Sequence, residues 1–245
     1  MPGSPQRTLR TIIRRPIGAP GPLPLLVFGH GFNTTPETYE VLLDAWAAAG
    51  YLVAAPDFPG SASDLPGPPT ENDIPAQAQD LSFVITALLT GREGPVDASR
   101  IALAGHADGG SSVVVLAEHT GALDPRIDAY LVLAGQIPDA VAGPWDASPA
   151  GALLCMVGTD DQYGNLTLTT GAYSSAHMTK ALITVPGGDH LGLFVGPGAV
   201  PDEVRGTTIR FLVLALGPKR PVTDADLAGV LGPSGGAPTY QLTTG

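Results

Sequence analysis

Short apolar runs alternate with helical patterns along this chain, and that alternation constrains the fold more than any other feature. Leu25-Leu26-Val27-Phe28, Tyr51 to Ala55, Ser99 to Ala104, Ala129 to Ala134, Leu153 to Val157 and Ala181 to Val185 each read as a strand with little polar interruption. Strands of this kind are covered on both faces, as in parallel sheets. Helical patterns lie between them. Thr35-Pro36 opens one, with proline at its first position, and Tyr39, Leu42, Leu43 and Trp46 recur at i, i+3, i+4 and i+7 before Gly50 ends it. Ala76 to Leu89 turns Leu81, Val84, Ile85 and Leu88 to one side, and Val204 to Leu216 closes the series. Ahead of them all, Thr8 to Arg14 alternates as an edge strand does, and Pro16 to Pro24 is a loop leading to the first core strand. The expected fold is α/β: three layers, with a mostly parallel central sheet and helices on both faces.

A length of 245 residues suits one domain over 1–245, with a core at about 25–216 and a tail over 217–245. That leaves no room for a large cap domain. Ser61 to Glu71 reads as a long polar loop; in the tail a short helix is expected near Asp224 to Val230, followed by a Gly/Pro/Thr-rich end expected to be disordered. The formal charge of −11 disfavours nucleic acid and anionic membrane surfaces, which are bound chiefly through Lys and Arg. Apolar runs such as Leu23 to Phe28 are too short to span a bilayer, so no membrane span is expected. Met1 to Arg15 carries arginines without the apolar stretch and cleavage site of a secretory signal. A cytoplasmic location is therefore expected, unless a signal has already been removed.

The single cysteine, Cys155, sits inside an apolar run and reads as a packed strand residue. No Gly-x-Gly-x-x-Gly opens the first helix, which disfavours dinucleotide binding. His30, His106, His119, His177 and His190 show no ligand spacing with carboxylates, so neither a metal nor another cofactor is expected.

One hexapeptide carries the chemistry. Gly105-His106-Ala107-Asp108-Gly109-Gly110 lies between the Ser99 to Ala104 strand and a helix over Ser111 to Ala117. Glycine stands two residues before and two after Ala107, where a sharp strand-to-helix turn tolerates no larger side chain. Downstream come Gly158-Thr159-Asp160-Asp161 at a strand end and Gly187-Gly188-Asp189-His190 after the last predicted strand; upstream, Gly29-His30-Gly31-Phe32 follows the first core strand.

In this order, on these strand ends, the motifs resemble those of α/β-hydrolase fold serine esterases. The likeness is to the compact, lidless branch that includes dienelactone hydrolases, chlorophyllase-like and platelet-activating-factor acetylhydrolase-like proteins and polyester hydrolases, and it covers about Leu25 to Leu216. The resemblance implies a nucleophile position at Ala107, a triad acid at Asp161 with Asp160 as the alternative, and a base at His190. It implies an oxyanion hole made by the backbone N–H groups of Phe32 and Asp108, with His30 supporting the loop and His106 a scaffold residue. His119 and His177 keep a structural reading. Asp108 as nucleophile fails on register, because it would put His106 where a small residue is needed.

Alanine at 107 lacks the reactive atom. The retained partners favour a deliberate replacement of serine, made to hold substrate intact, over a natural pseudoenzyme that binds a small apolar ligand without turnover. Phe32, Asn33, Phe58, Gln136, Ile137, Tyr163 and Leu191 are the expected substrate-binding residues, apolar with a few polar caps. They suit neutral acyl or aromatic esters, either small molecules or polymer ends.

Overall fold

The computed structural model describes residues 7–64, 68–70, 73–91, 94–217, 221–231 and 241–244. Every expected strand forms: β1 (Thr11–Arg14), β2 (Leu23–Gly29), β3 (Leu52–Pro56), β4 (Val96–His106), β5 (Ala129–Leu133), β6 (Ala152–Gly158) and β7 (Thr179–Val185). An eighth, β8 (Gln241–Thr244), was not expected. They form one sheet in the order β1-β3-β2-β4-β5-β6-β7-β8. The six central strands run parallel, while β1 pairs antiparallel with β3 and β8 antiparallel with β7.

The helices are α1 (Glu40–Ala48), preceded by a 3-10 turn over Pro36–Tyr39, then α2 (Ile74–Thr90), α3 (Asp108–Glu118), α4 (Asn165–Ser175), α5 (Gly192–Val195), α6 (Ala199–Leu216) and α7 (Asp224–Leu231). α3 lies on β4 and β5 and packs against α2; α6 lies on the same two strands and packs against α1. The sheet therefore separates two helical layers. Trp46 of α1 is fully buried and donates its indole N–H to Thr208 Oγ1 of α6 at 2.9 Å, so the large ring satisfies its one polar group inside the core.

The tail departs from expectation. Its last described residues add β8 to the sheet rather than lying loose, and α7 packs on β7 and β8. Backbone pairing to the open edge of β7 gives Gln241–Thr244 an order that its own sequence does not impose. Residues 232–240 of the expected irregular end, and 65–67 and 71 of the expected polar loop, lie outside the described residues.

Candidate active site

Loops at the carboxyl ends of four parallel strands meet at one groove of about 820 Å³. β2 delivers the His30-Gly31-Phe32 loop, β4 the Ala107 turn, β6 the Asp160-Asp161 loop and β7 the loop bearing His190. Ligand sites of parallel α/β sheets form at this end.

Ala107 links β4 to α3 with φ 50° and ψ −115°. Such backbone costs a residue with a Cβ about 1–3 kcal/mol. Sterics around it explain why the turn holds. A Cβ on Gly105 would stand 2.2 Å from Gly109 O, and one on Gly109 would stand 2.2 Å from Gly29 O. Only glycine at both positions lets β2, β4 and α3 close on one another. Asp108 begins α3, where backbone N–H groups point out of the helix end and the helix dipole is positive.

Across the groove, His190 Nδ1 lies 2.7 Å from Asp161 Oδ2. The β6–β7 pairing explains the approach: Thr159 N–H bonds Val185 O, Asp160 N–H bonds Gly188 O, and a Cβ on Gly158 would stand 2.0 Å from Gly188 O. Asp161 Oδ1 accepts Tyr163 N–H at 3.0 Å and Asn165 Nδ2 at 3.2 Å. Burial opposes charge on Asp161, but the bonds from His190, Tyr163 and Asn165 outweigh it and hold the carboxyl below its usual range. With Nδ1–H donated to that carboxylate, Nε2 of His190 carries the lone pair. Asp160 is exposed and accepts from Thr159 Oγ1, so of the two aspartates Asp161 is the one that meets His190.

His30 is fully buried. Its Nε2 accepts Phe58 N–H at 3.0 Å and its Nδ1 donates to Gly31 O at 2.9 Å, tying the Phe32 loop to the end of β3. Burial pushes its pKa down to about 4, which keeps the ring neutral. His106 is buried too, with Nδ1 2.7 Å from the Tyr39 hydroxyl and Nε2 2.8 Å from His190 O. His119 bonds Ala142 O and meets Trp145 edge-on, outside the groove, and His177 does not line it either.

Phe32, Asn33, Gln136, Tyr163 and Leu191 line the groove together with Ala107, Asp108 and His190. Phe58 and Ile137 do not. Phe58 is fully buried with its ring 4.7 Å from His30, so it fills space beneath the loop instead of facing a ligand. Ile137 is partly buried and packs on the core, while its neighbours Gln136 and Pro138 turn to the groove.

Asn165 and Ser111 were not anticipated. Asn165 contacts both Asp161 and His190 Nδ1 at 3.2 Å from the first position of α4. No local pattern announced it, since Asp161 lies in the loop before α4 and shares no helix with Asn165. Ser111 Oγ donates to Ala107 O and accepts Gln136 N–H, both at 3.1 Å, joining the Ala107 turn to the groove wall. Among the described residues no Lys or Arg lines the groove, whereas Asp108 and Asp139 do. Among the described residues no group of His, Cys, Asp and Glu could hold a metal ion, and no helix is long and apolar enough to cross a membrane.

The mostly parallel eight-stranded sheet with helices on both faces is the α/β-hydrolase fold, and two solved structures share it. A ferulic acid esterase from Streptomyces cinnamoneus superposes with a TM-score of 0.67 at 24% identity, over 92% of this chain and 74% of that one. A protein described as a dienelactone hydrolase, from Klebsiella pneumoniae, gives 0.65 at 18% identity, over 86% and 95%. Residues 3–146 match the chlorophyllase family model, more than half of the sequence, and the chain belongs to that family. A chlorophyllase type 0 from Chenopodium album is 33% identical over 106 residues, 40% of this chain and 29% of the relative's length. Family and fold are thus of the esterase and hydrolase kind.

Proposed function

We propose that this chain is a carboxylic ester hydrolase of the Ser-His-Asp type, disarmed at one atom, with Ala107 standing where a nucleophilic serine belongs. The observation that carries the reading is the pairing of His190 with Asp161 at 2.7 Å across the groove from a strained turn at 107. An alanine has no use for that backbone strain, or for a histidine oriented to leave Nε2 as an acceptor; a serine has use for both. Deliberate replacement, leaving every partner intact, accounts for this better than a natural loss does.

With serine at 107, its oxygen attacks the ester carbonyl carbon while Nε2 of His190 takes the hydroxyl proton. Asp161 stabilises the imidazolium, and the N–H groups of Phe32 and Asp108 bind the oxyanion. The tetrahedral intermediate collapses, the alkoxide leaves with the proton from His190, and an acyl-enzyme remains. Water, activated by the same nitrogen, then releases the acid. A groove that mixes apolar and aromatic residues (Phe32, Ile74, Tyr163, Leu168 and Leu191) with uncharged polar ones (Asn33, Gln136 and Gln162), and that has no lining cation among the described residues, suits neutral acyl or aromatic esters. Relatives named for chlorophyllase and ferulic acid esterase activity are in keeping with an ester substrate.

Turnover of p-nitrophenyl esters, from acetate to long acyl chains, tests this. Ala107→Ser is expected to raise kcat by about 10⁴- to 10⁶-fold over the alanine form, and His190→Ala in that background to abolish the gain. A folded Ala107→Ser protein that stays inert on the whole panel sinks the proposal and leaves ligand binding without turnover as the function.

A further inference from the structure

A buried chain of polar groups joins two loops of the site from behind. Tyr39 ends the 3-10 turn, is fully buried, and packs its ring 4.9 Å from that of Phe28. Its hydroxyl oxygen lies 2.7 Å from His106 Nδ1 and accepts Gly31 N–H at 3.2 Å. On the far side of the imidazole, Nε2 lies 2.8 Å from the backbone oxygen of His190.

The direction of every proton follows from these partners. A carbonyl only accepts, so His106 Nε2 carries a hydrogen. A neutral imidazole has one, so Nδ1 accepts and the Tyr39 O–H donates to it; the tyrosine oxygen is left to accept Gly31 N–H. Burial, and secondarily the neighbouring His190, push the His106 pKa down to about 3, so the ring stays neutral. Burial likewise pushes Tyr39 up to about 12 and keeps its proton in place. The bonds therefore run one way, from Gly31 through Tyr39 and His106 to His190.

Both ends of this run matter to the reaction. Gly31 immediately precedes Phe32, the proposed oxyanion donor, and His190 is the proposed base. The packing at Gly31 is close: a Cβ there would stand 3.1 Å from both His106 Nδ1 and the Tyr39 oxygen, and 3.3 Å from Ala107 Cβ. Loop, relay and turn meet at one point. We infer that Tyr39 and His106 are positioning residues that set the oxyanion loop and the histidine loop in register with each other through this relay. The inference rests on the esterase reading for what the two loops do, and on geometry alone for their coupling.

Tyr39→Phe removes one oxygen and keeps the ring that packs on Phe28. It leaves Gly31 N–H and His106 Nδ1 unpaired in a buried place, where each lost bond weighs most. In an Ala107→Ser background the expected result is a fall in kcat of about tenfold with KM within about twofold. His106→Gln, which keeps one donor and one acceptor, is expected to retain more kcat than His106→Leu, which keeps neither. In the Ala107 chain itself, Tyr39→Phe is expected to move the backbone amide NMR resonances of both Phe32 and His190, at the two ends of the relay, a readout that needs no turnover. Unchanged kcat together with an unmoved His190 amide overturns the relay, as does equal damage from His106→Gln and His106→Leu. Should Tyr39→Phe fail to fold, that pair at 106 decides. If Ala107→Ser is inert while the His190 amide still moves, the esterase reading fails and the relay stands.

Discussion

Around Ala107 three backbone segments close to distances at which no Cβ fits, whereas on the opposite rim Tyr163 leaves 67% of its surface to solvent. The first region is glycine against glycine: Gly29, Gly105 and Gly109, with Gly110 seated on Gly135. The second is built of loop and helix-start residues, Gln136, Pro138, Asp139, Ala140, Gln162, Tyr163 and Leu168, which face the groove without being locked behind it. A floor of this kind fixes where a reacting atom would sit to a fraction of an ångström. A wall of that kind can change its residues, and so its preference, without disturbing the floor.

The sharpest way to break this contrast is at its tight end. Gly109→Ala drives a methyl group into Gly29 O, and backbone cannot rotate away as a side chain can. The expected cost is about 3 kcal/mol, or a fall in Tm of roughly 10 °C by calorimetry. A shift of a degree or less would mean that the floor is far more pliable than its geometry implies.

Asn165 stands between the two regions, and a smaller effect is expected there. Removing its N–H from Asp161 lets that carboxyl move back toward its usual range. A carboxyl held low stabilises the fold above about pH 4, and the contribution is lost as pH falls through the lowered value. Asn165→Ala should therefore lower Tm at neutral pH, with the gap to the parent closing on acidification. In the Ala107→Ser background it should also cut kcat about tenfold. A Tm gap that is constant with pH would assign Asn165 a packing role only.

At the loose end, Tyr163→Ala should leave Tm unchanged while raising KM for aromatic esters about threefold, the worth of one exposed aromatic contact. Its ring meets His190 edge-on at 4.8 Å without a hydrogen bond, so kcat should hold. A collapse of kcat instead would move Tyr163 from the wall to the floor.

The same division governs what could be read from sequence. The floor was legible because close backbone approach demands glycine, and Gly105, Gly109 and Gly31 announce it through residue type alone. The strands of the core were legible because burial on both faces demands unbroken apolar runs. α4 was not, since the side it buries carries Asn165 and Thr169 beside Ala172 and Tyr173, which leaves no apolar stripe to find. Thr169 is there to donate to Gly135 O at 2.8 Å, a tertiary partner invisible from local pattern. Phe58 and Ile137 were misplaced for a related reason. An apolar residue in a loop beside a site looks the same in sequence whether it faces the ligand or props the loop from beneath.

Strand β8 has a consequence for how this protein is made. It follows every other described element in the chain, and its partner β7 ends 56 residues earlier, by the numbering of Val185 and Gln241. While the chain is still being synthesised, β7 therefore offers a bare row of backbone donors and acceptors at the side of an otherwise complete sheet. Bare strand edges recruit strands from other chains. Until Gln241–Thr244 pair with it, that edge invites association, and β8, remote from the groove, acts as the seal that ends the exposure.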